Sequence, residues 1–250
     1  MNFNGLTTAY WTEQAQRVER VRQQIIERLG TETGRVVPDS EDLTIGTGRR
    51  LSAAIMFMDI CGFSSRGSET KEEQEQLLAV LNLFFSEMIK VAEDYGGTVE
   101  KNTGDGLMAY FEDGGTSPPE NGTHRAVASA LTMMAACEYL INPILRASSI
   151  APLQFRITID HGNVSIAKLG AARRFNAIVA IGTTANVASK MLSVAKAGDL
   201  LLGENAKRAL PLNWQTQWTE LHTYQTGWVF RSTQLPYSFY KYKGRWARLL

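Results

Sequence analysis

Residues 96–112, GGTVEKNTGDGLMAYFE, hold two strand-length runs around an Asp-Gly pair, and a helix-length pattern lies on each side of them. Asp-Gly tolerates the positive φ angles of a tight two-residue turn, so Asp105-Gly106 marks a hairpin. An antiparallel hairpin between two helices leaves few architectures open. Before it, LSAAIMFMDI (51–60) is a short, nearly continuous apolar run and predicts a buried strand. Residues 71–95 predict a helix, with Leu77, Leu81, Phe84, Met88 and Val91 on one stripe. After a loop at 114–123, residues 124–147 predict a second helix that ends near Pro143. LQFRITIDHGNVSIAKLG (153–170) predicts strand, turn, strand, with His161 in the turn. Residues 184–195 predict a third helix, and 198–210 a strand and a short helix. The order β-α-β-β-α-β predicts a ferredoxin-like α+β core with one helical layer on a sheet.

Outside that core, residues 9–29 predict a helix whose Trp11, Ala15, Val18, Ile25 and Leu29 share a seam interrupted by Arg22. It either packs on its own domain or pairs with a second chain. Residues 30–50 carry five glycine or proline punctuators (Gly30, Gly34, Pro38, Gly46, Gly48) and read as a linker and entry loop. The tail, YQTGWVFRSTQLPYSFYKYKG, is aromatic and reads as β-rich. The expected organisation is an N-terminal helix and linker over 1–48, a main unit over 49–210, and a β-rich extension over 211–250 packed on it.

A net charge of +1 gives no general attraction to polyanions, so a nucleic-acid partner is not expected. Cys61 and Cys137 match no metal spacing and read as reduced thiols. The N-terminus lacks the basic and apolar regions of a signal peptide, and no apolar run reaches the length of a membrane span. A cytoplasmic protein is the expectation. His124, His161 and His222 do not form a metal-ligand pattern in sequence.

The run MFMDICGFSSRG (56–67) ends an apolar strand in Asp59 and follows it with Gly62 and two serines. A buried strand has no use for an acid at its tip. In the ferredoxin-like order this strand lies beside the hairpin, so Asp59 and Asp105 can meet at one sheet edge. Two hard oxygen ligands suit Mg²⁺ or Mn²⁺, which also take waters and phosphate oxygens. Gly62, Ser64, Gly104 and Gly106 are small enough for a phosphate chain to approach the backbone. The plainer alternative is two unrelated turn aspartates.

FMDICGFS, VEKNTGDGLMAYF, FRITIDHGNVSIAKLGAARR and GTTANVASKM, in this order and approximate spacing, resemble the catalytic domain of class III nucleotidyl cyclases over residues 50–210. The resemblance implies two metal ions held by Asp59 and Asp105, with the Ile60 carbonyl as a further donor. It places Gly62 and Phe63 at the substrate. It gives Asn186 to the ribose and Lys190 to the transition state, one helical turn apart on one face. Lys101 stands where adenylyl cyclases hold the adenine base, Val179 at the second base position, and Arg173 (with Arg174 beside it) within possible reach of phosphates. The implied reaction converts a nucleoside triphosphate to its 3′,5′-cyclic nucleotide and pyrophosphate. The implied assembly is a head-to-tail homodimer with two composite sites.

Two positions depart from the family pattern. Lys190 replaces an arginine and loses its planar fork. One charged hydrogen bond is worth about 1.5–3 kcal/mol, or roughly tenfold to a hundredfold in rate, which slows an enzyme without abolishing it. Val179 cannot accept a hydrogen bond from an adenine amine, and Lys101 with Val179 does not match the guanine pair either. The entry loop, LTIGTGRRLSAAIMFMDICGFS, and the stand-alone length resemble the pyrimidine cyclases of bacterial antiphage (Pycsar) systems, which make cyclic UMP or cyclic CMP as an alarm signal. Uracil O4 is an acceptor and Lys101 a pure donor, so UTP is favoured. ATP and CTP are the alternatives. A degenerate homologue acting as a nucleotide-binding or dimerisation module is the non-enzymatic one.

Overall fold

The computed structural model describes residues 5–27, 48–102, 105–114, 121–172, 175–224 and 226–248. The expected linker lies almost wholly outside the described residues. The chain runs α1 (Thr8–Glu27), β1 (Gly48–Ile60), α2 (Lys71–Asp94), β2 (Thr98–Asn102), β3 (Gly106–Glu112), α3 (Gly122–Ala136), α4 (Asn142–Ala147), β4 (Phe155–Ala172), β5 (Phe175–Ile181), α5 (Thr183–Met191), β6 (Leu200–Gly203), α6 (Glu204–Ala209), α7 (Leu212–Trp218), β7 (Thr219–Leu221) and β8 (Phe239–Tyr242). One sheet holds the strands in the order β2-β3-β1-β4-β6-β8-β7, with β5 paired to β4. The first four are antiparallel neighbours in the ferredoxin-like order, and β6 joins β4 in parallel.

Both faces of the sheet are covered, where the sequence suggested one helical layer. Along β1, Ala54, Met56, Met58 and Ile60 pack into a core with α2 and α3. Ala53 and Ile55 pack into a second core with α5, Tyr237 and Phe239. A strand buried on two faces reads as a continuous apolar run, which is why β1 shows no alternation. Period two places Asp59 on the α5 side, at the end of that second core.

α2 opens on a reciprocal cap. Thr70 accepts from the Glu73 N–H, and Glu73 accepts from the Thr70 N–H. Its buried surface is wider than the expected stripe, because α1 packs along it. Arg17 of α1 lies 3.3 Å from Glu87 and 3.4 Å from Asp94. Burial pushes the Glu87 carboxyl up to about 7, against the pull of Arg17. α1 therefore packs on its own domain.

Three expectations are corrected. The helix at 124–147 does not end near Pro143. Residues Cys137–Ile141 widen into a π turn in which the Asn142 N–H reaches the Cys137 carbonyl, and Pro143 starts the next helical segment, where its missing N–H is not needed. The combined helix Gly122–Ala147 is long and apolar enough by length and composition to cross a bilayer, but most of it is buried against the sheet and α2, as a core helix is. Second, residues 153–170 do not turn at His161. β4 is continuous, with His161 and Gly162 paired to Ala54 and Ala53. Gly162 serves close packing, since a Cβ there would sit 2.6 Å from Thr184 Oγ1 of α5. His161 bonds Asp113 at 2.6 Å. Third, the tail is only sparsely β. It holds the unexpected helix α7, two short strands and one bridge between Val229 and Pro236.

Candidate active site

β1 ends in Asp59 and Ile60, flanked by β3 and β4. Asp59 pairs in register with Gly106 on one side and Arg156 on the other. The Ile60 N–H donates to the Asp105 carbonyl at 3.0 Å. Asp59, Ile60 and Asp105 thus meet at one sheet edge, as the hairpin order requires. All three offer hard oxygens, the donor chemistry that suits Mg²⁺ or Mn²⁺. Two carboxylates and a carbonyl leave positions for water and phosphate. Among the described residues, no group of three or more His, Cys, Asp or Glu side chains is placed to hold a metal ion by itself.

Arg156, which the sequence reading overlooked, is the cation beside this edge. Its Nε and Nη2 donate to the same Asp59 oxygen at 2.9 and 2.6 Å, and Nη1 donates to the Ala195 carbonyl at 3.1 Å. Asp59 is about one-fifth exposed and Arg156 somewhat more. An arginine between Phe155 and Ile157 in a central strand needs a counter-charge, and that was the available signal.

The chain leaves the edge through Gly62, whose φ of 66° is left-handed and natural for glycine. Gly62 caps the 3₁₀ turn Phe63–Ser65. The first N–H groups of such a turn have no acceptor inside it. The turn is fastened from behind, because Arg66 donates to the carbonyls of Ala151 and Pro152 at 3.2 and 2.8 Å. Burial pushes the adjoining Cys61 thiol up, so it is not poised as a nucleophile.

Asn186 and Lys190 lie on the exposed side of α5, one turn apart, while Val187, Ala188 and Met191 bury the other side. Thr158 of β4 anchors this helix by donating to the Ala188 carbonyl at 2.7 Å. Among the described residues, no hydrogen bond or ion pair joins Asn186 or Lys190 to Asp59 or Asp105. Lys101 pairs in register with Met108, next to a bulge in β2, and Val179 pairs with Ala167. β5 also approaches β2, so the strands carrying Lys101 and Val179 are neighbours. Arg173 lies outside the described residues.

The description "Adenylate and Guanylate cyclase catalytic domain" matches residues 48–226. The chain belongs to this family. An adenylate cyclase of Anabaena cylindrica is 28% identical over 68% of the chain and 33% of that protein. An uncharacterized protein of Mycobacterium tuberculosis is 27% identical over 80% of the chain and 34% of its own length. The chain therefore spans about a third of these relatives. Among solved structures, the adenylyl cyclase CyaB from P. aeruginosa is 26% identical, with a TM-score of 0.64 over 81% of this chain and 99% of that one. The guanylyl cyclase Cya2 is 22% identical, with a TM-score of 0.64 over 79% and 94%, and shares the fold.

Proposed function

We propose that the chain is a nucleotidyl cyclase that converts a nucleoside triphosphate, preferentially UTP, to the 3′,5′-cyclic nucleotide and pyrophosphate. The observation that carries this reading is the meeting of Asp59, Ile60 and Asp105 at one sheet edge beside the Gly62 turn, in a chain of the cyclase family. Bound there, divalent cations supply Lewis-acid activation of the ribose 3′-hydroxyl and neutralise triphosphate charge. The 3′-oxygen gives up its proton to solvent water and bonds to the α-phosphorus as the bond to the bridging oxygen of the β-phosphate breaks and pyrophosphate leaves. Asp59, Asp105 and the Ile60 carbonyl hold the cations. Arg156, drawn off Asp59, has its Nε and Nη2 free for phosphate oxygens while Nη1 stays on the Ala195 carbonyl. Gly62 and Phe63 bring the backbone close to the phosphates. Asn186 orients the ribose and Lys190 meets charge developing on the α-phosphate. These two groups face outward, which favours a head-to-tail homodimer in which one chain gives the carboxylate edge and the other gives α5.

The preference for UTP rests on Lys101 and Val179, the first a pure donor and the second without a polar atom. ATP is the second reading, favoured by the adenylate cyclase of A. cylindrica among the relatives. A cyclic pyrimidine nucleotide would fit a second messenger of antiphage defence made in the cytoplasm. The test is incubation with ATP, GTP, CTP and UTP separately, with Mg²⁺ or Mn²⁺, and identification of products by mass. Cyclic UMP as the dominant product supports the reading, and cyclic AMP as the dominant product replaces it with the second.

A further inference from the structure

The tail between β7 and β8 reaches the exposed face of α5, and the geometry points to Trp228 as a positioning residue for Lys190. This rests on the role proposed for Lys190 above. The Lys190 ammonium lies 6.0 Å from the centroid of the Trp228 ring. Among the described residues Lys190 makes no ion pair with a carboxylate, and the Trp228 ring face lies at the outer reach of a cation–π contact with its ammonium.

Trp228 is itself held. Its ring packs beside Phe239, centroids 6.5 Å apart, against the core that includes Val187 and Met191 of α5. Its carbonyl accepts the Tyr237 N–H at 2.8 Å. The Tyr237 hydroxyl donates to buried Asp160 of β4 at 2.6 Å and accepts from the Asn205 N–H at 3.2 Å. Gly203 permits this approach, because a Cβ there would stand 2.3 Å from Asp160 Oδ1. Asp160 fixes Tyr237, Tyr237 fixes Trp228, and Trp228 narrows the positions open to the Lys190 ammonium.

A lysine in place of an arginine keeps the charge but has a flexible four-carbon stem and no rigid fork. An indole face near the ammonium restores part of the missing order. The tail therefore belongs to the catalytic device, although Trp228 acts through Lys190 rather than on substrate.

A double-mutant cycle tests this. Trp228→Leu is expected to lower kcat about two- to fivefold, the size of an exposed cation–π contact, with KM unchanged. Trp228→Phe keeps most of the rate. In the Lys190→Ala background Trp228→Leu has no further effect. Equal losses with and without Lys190, or a Phe variant as slow as the Leu variant, overturn the proposal. A second measurement needs no activity. After reductive ¹³C-methylation, the Lys190 resonance, identified by its loss in Lys190→Ala, is expected upfield in the parent and back at the ordinary position in Trp228→Leu. An unshifted parent resonance overturns the contact. Failure to cyclise any of the four nucleotides overturns the catalytic role of Lys190 and the positioning role with it, while the resonance still reports the contact separately.

Discussion

The tip of β1 and the outer face of α5 carry the two halves of the proposed site, and they are built differently. Asp59 sits between two hydrogen-bonded strands and is already paired with Arg156 at 2.6 Å. Lys190 stands on a surface helix with one aromatic ring near it. Ligands for a cation must be fixed before it arrives, since each displaced donor costs affinity, and a sheet edge fixes them. A group that meets charge only in the transition state can be held more loosely. In the proposed homodimer, the second chain supplies the surface opposite it.

The sharpest way to break this comparison is at the sheet edge. Asp59→Ala and Asp105→Ala are each expected to lower kcat/KM by about 10³-fold or more while circular dichroism stays at the parent level, since each removes a proposed metal ligand. Turnover within tenfold of the parent in either variant would remove the two-carboxylate assignment.

Mixing the halves comes next. Asp59→Ala and Asn186→Ala chains, each inactive alone, are expected to recover up to about a quarter of parental activity after subunit exchange, because half the dimers are mixed and each holds one intact site. No recovery, with mixed dimers demonstrated by native mass spectrometry, would place each site within one chain.

Within the α5 half, Lys190→Ala is expected to lower kcat by roughly tenfold to a hundredfold, and Lys190→Arg to keep or raise it. A similar change applies to the base. Lys101→Ala is expected to cut the UTP-over-ATP preference by about one to two orders of magnitude, measured as the ratio of kcat/KM values. A parent that prefers ATP would take Val179 out of the base pocket.

The smallest expected effect is on stability. Burial pushes the Asp160 carboxyl up to about 6, against hydrogen bonds led by that from Tyr237. A carboxyl raised in the folded state opposes folding once ionised, so its contribution is most favourable below about pH 4 and falls as pH rises to about 6. Asp160→Asn keeps an acceptor for Tyr237 and removes the titration. Its Tm, relative to the parent, is expected to improve from pH 4 to pH 6.5. A constant difference across that range would mean that Asp160 does not ionise there.

The β1 half was the more legible in sequence, for a physical reason. Asp59 follows an apolar run, Asp105 precedes Gly106, and Gly62 opens a turn, so each signal is local. The Asp59–Arg156 pair was missed because it depends on the register of β1 against β4, set by residues 97 positions apart. His161-Gly162 looked like a turn because glycine has two uses. Here it admits Thr184, which no neighbour in sequence announces. The tail misled for a related reason. Its aromatic residues serve packing on α5 and the sheet, and the same composition suits a strand.

The Arg156–Asp59 pair makes the protein its own counter-ion at the sheet edge. At the proposed site, a divalent cation arriving alone would have to take Asp59 from Arg156 and leave a guanidinium with no anion. A triphosphate arriving alone would meet a guanidinium already engaged. Arriving together, the two ligands would relieve each other's penalty. The pair would then act as an interlock with linked binding free energies: whatever factor the nucleotide adds to the cation's affinity, the cation adds to the nucleotide's.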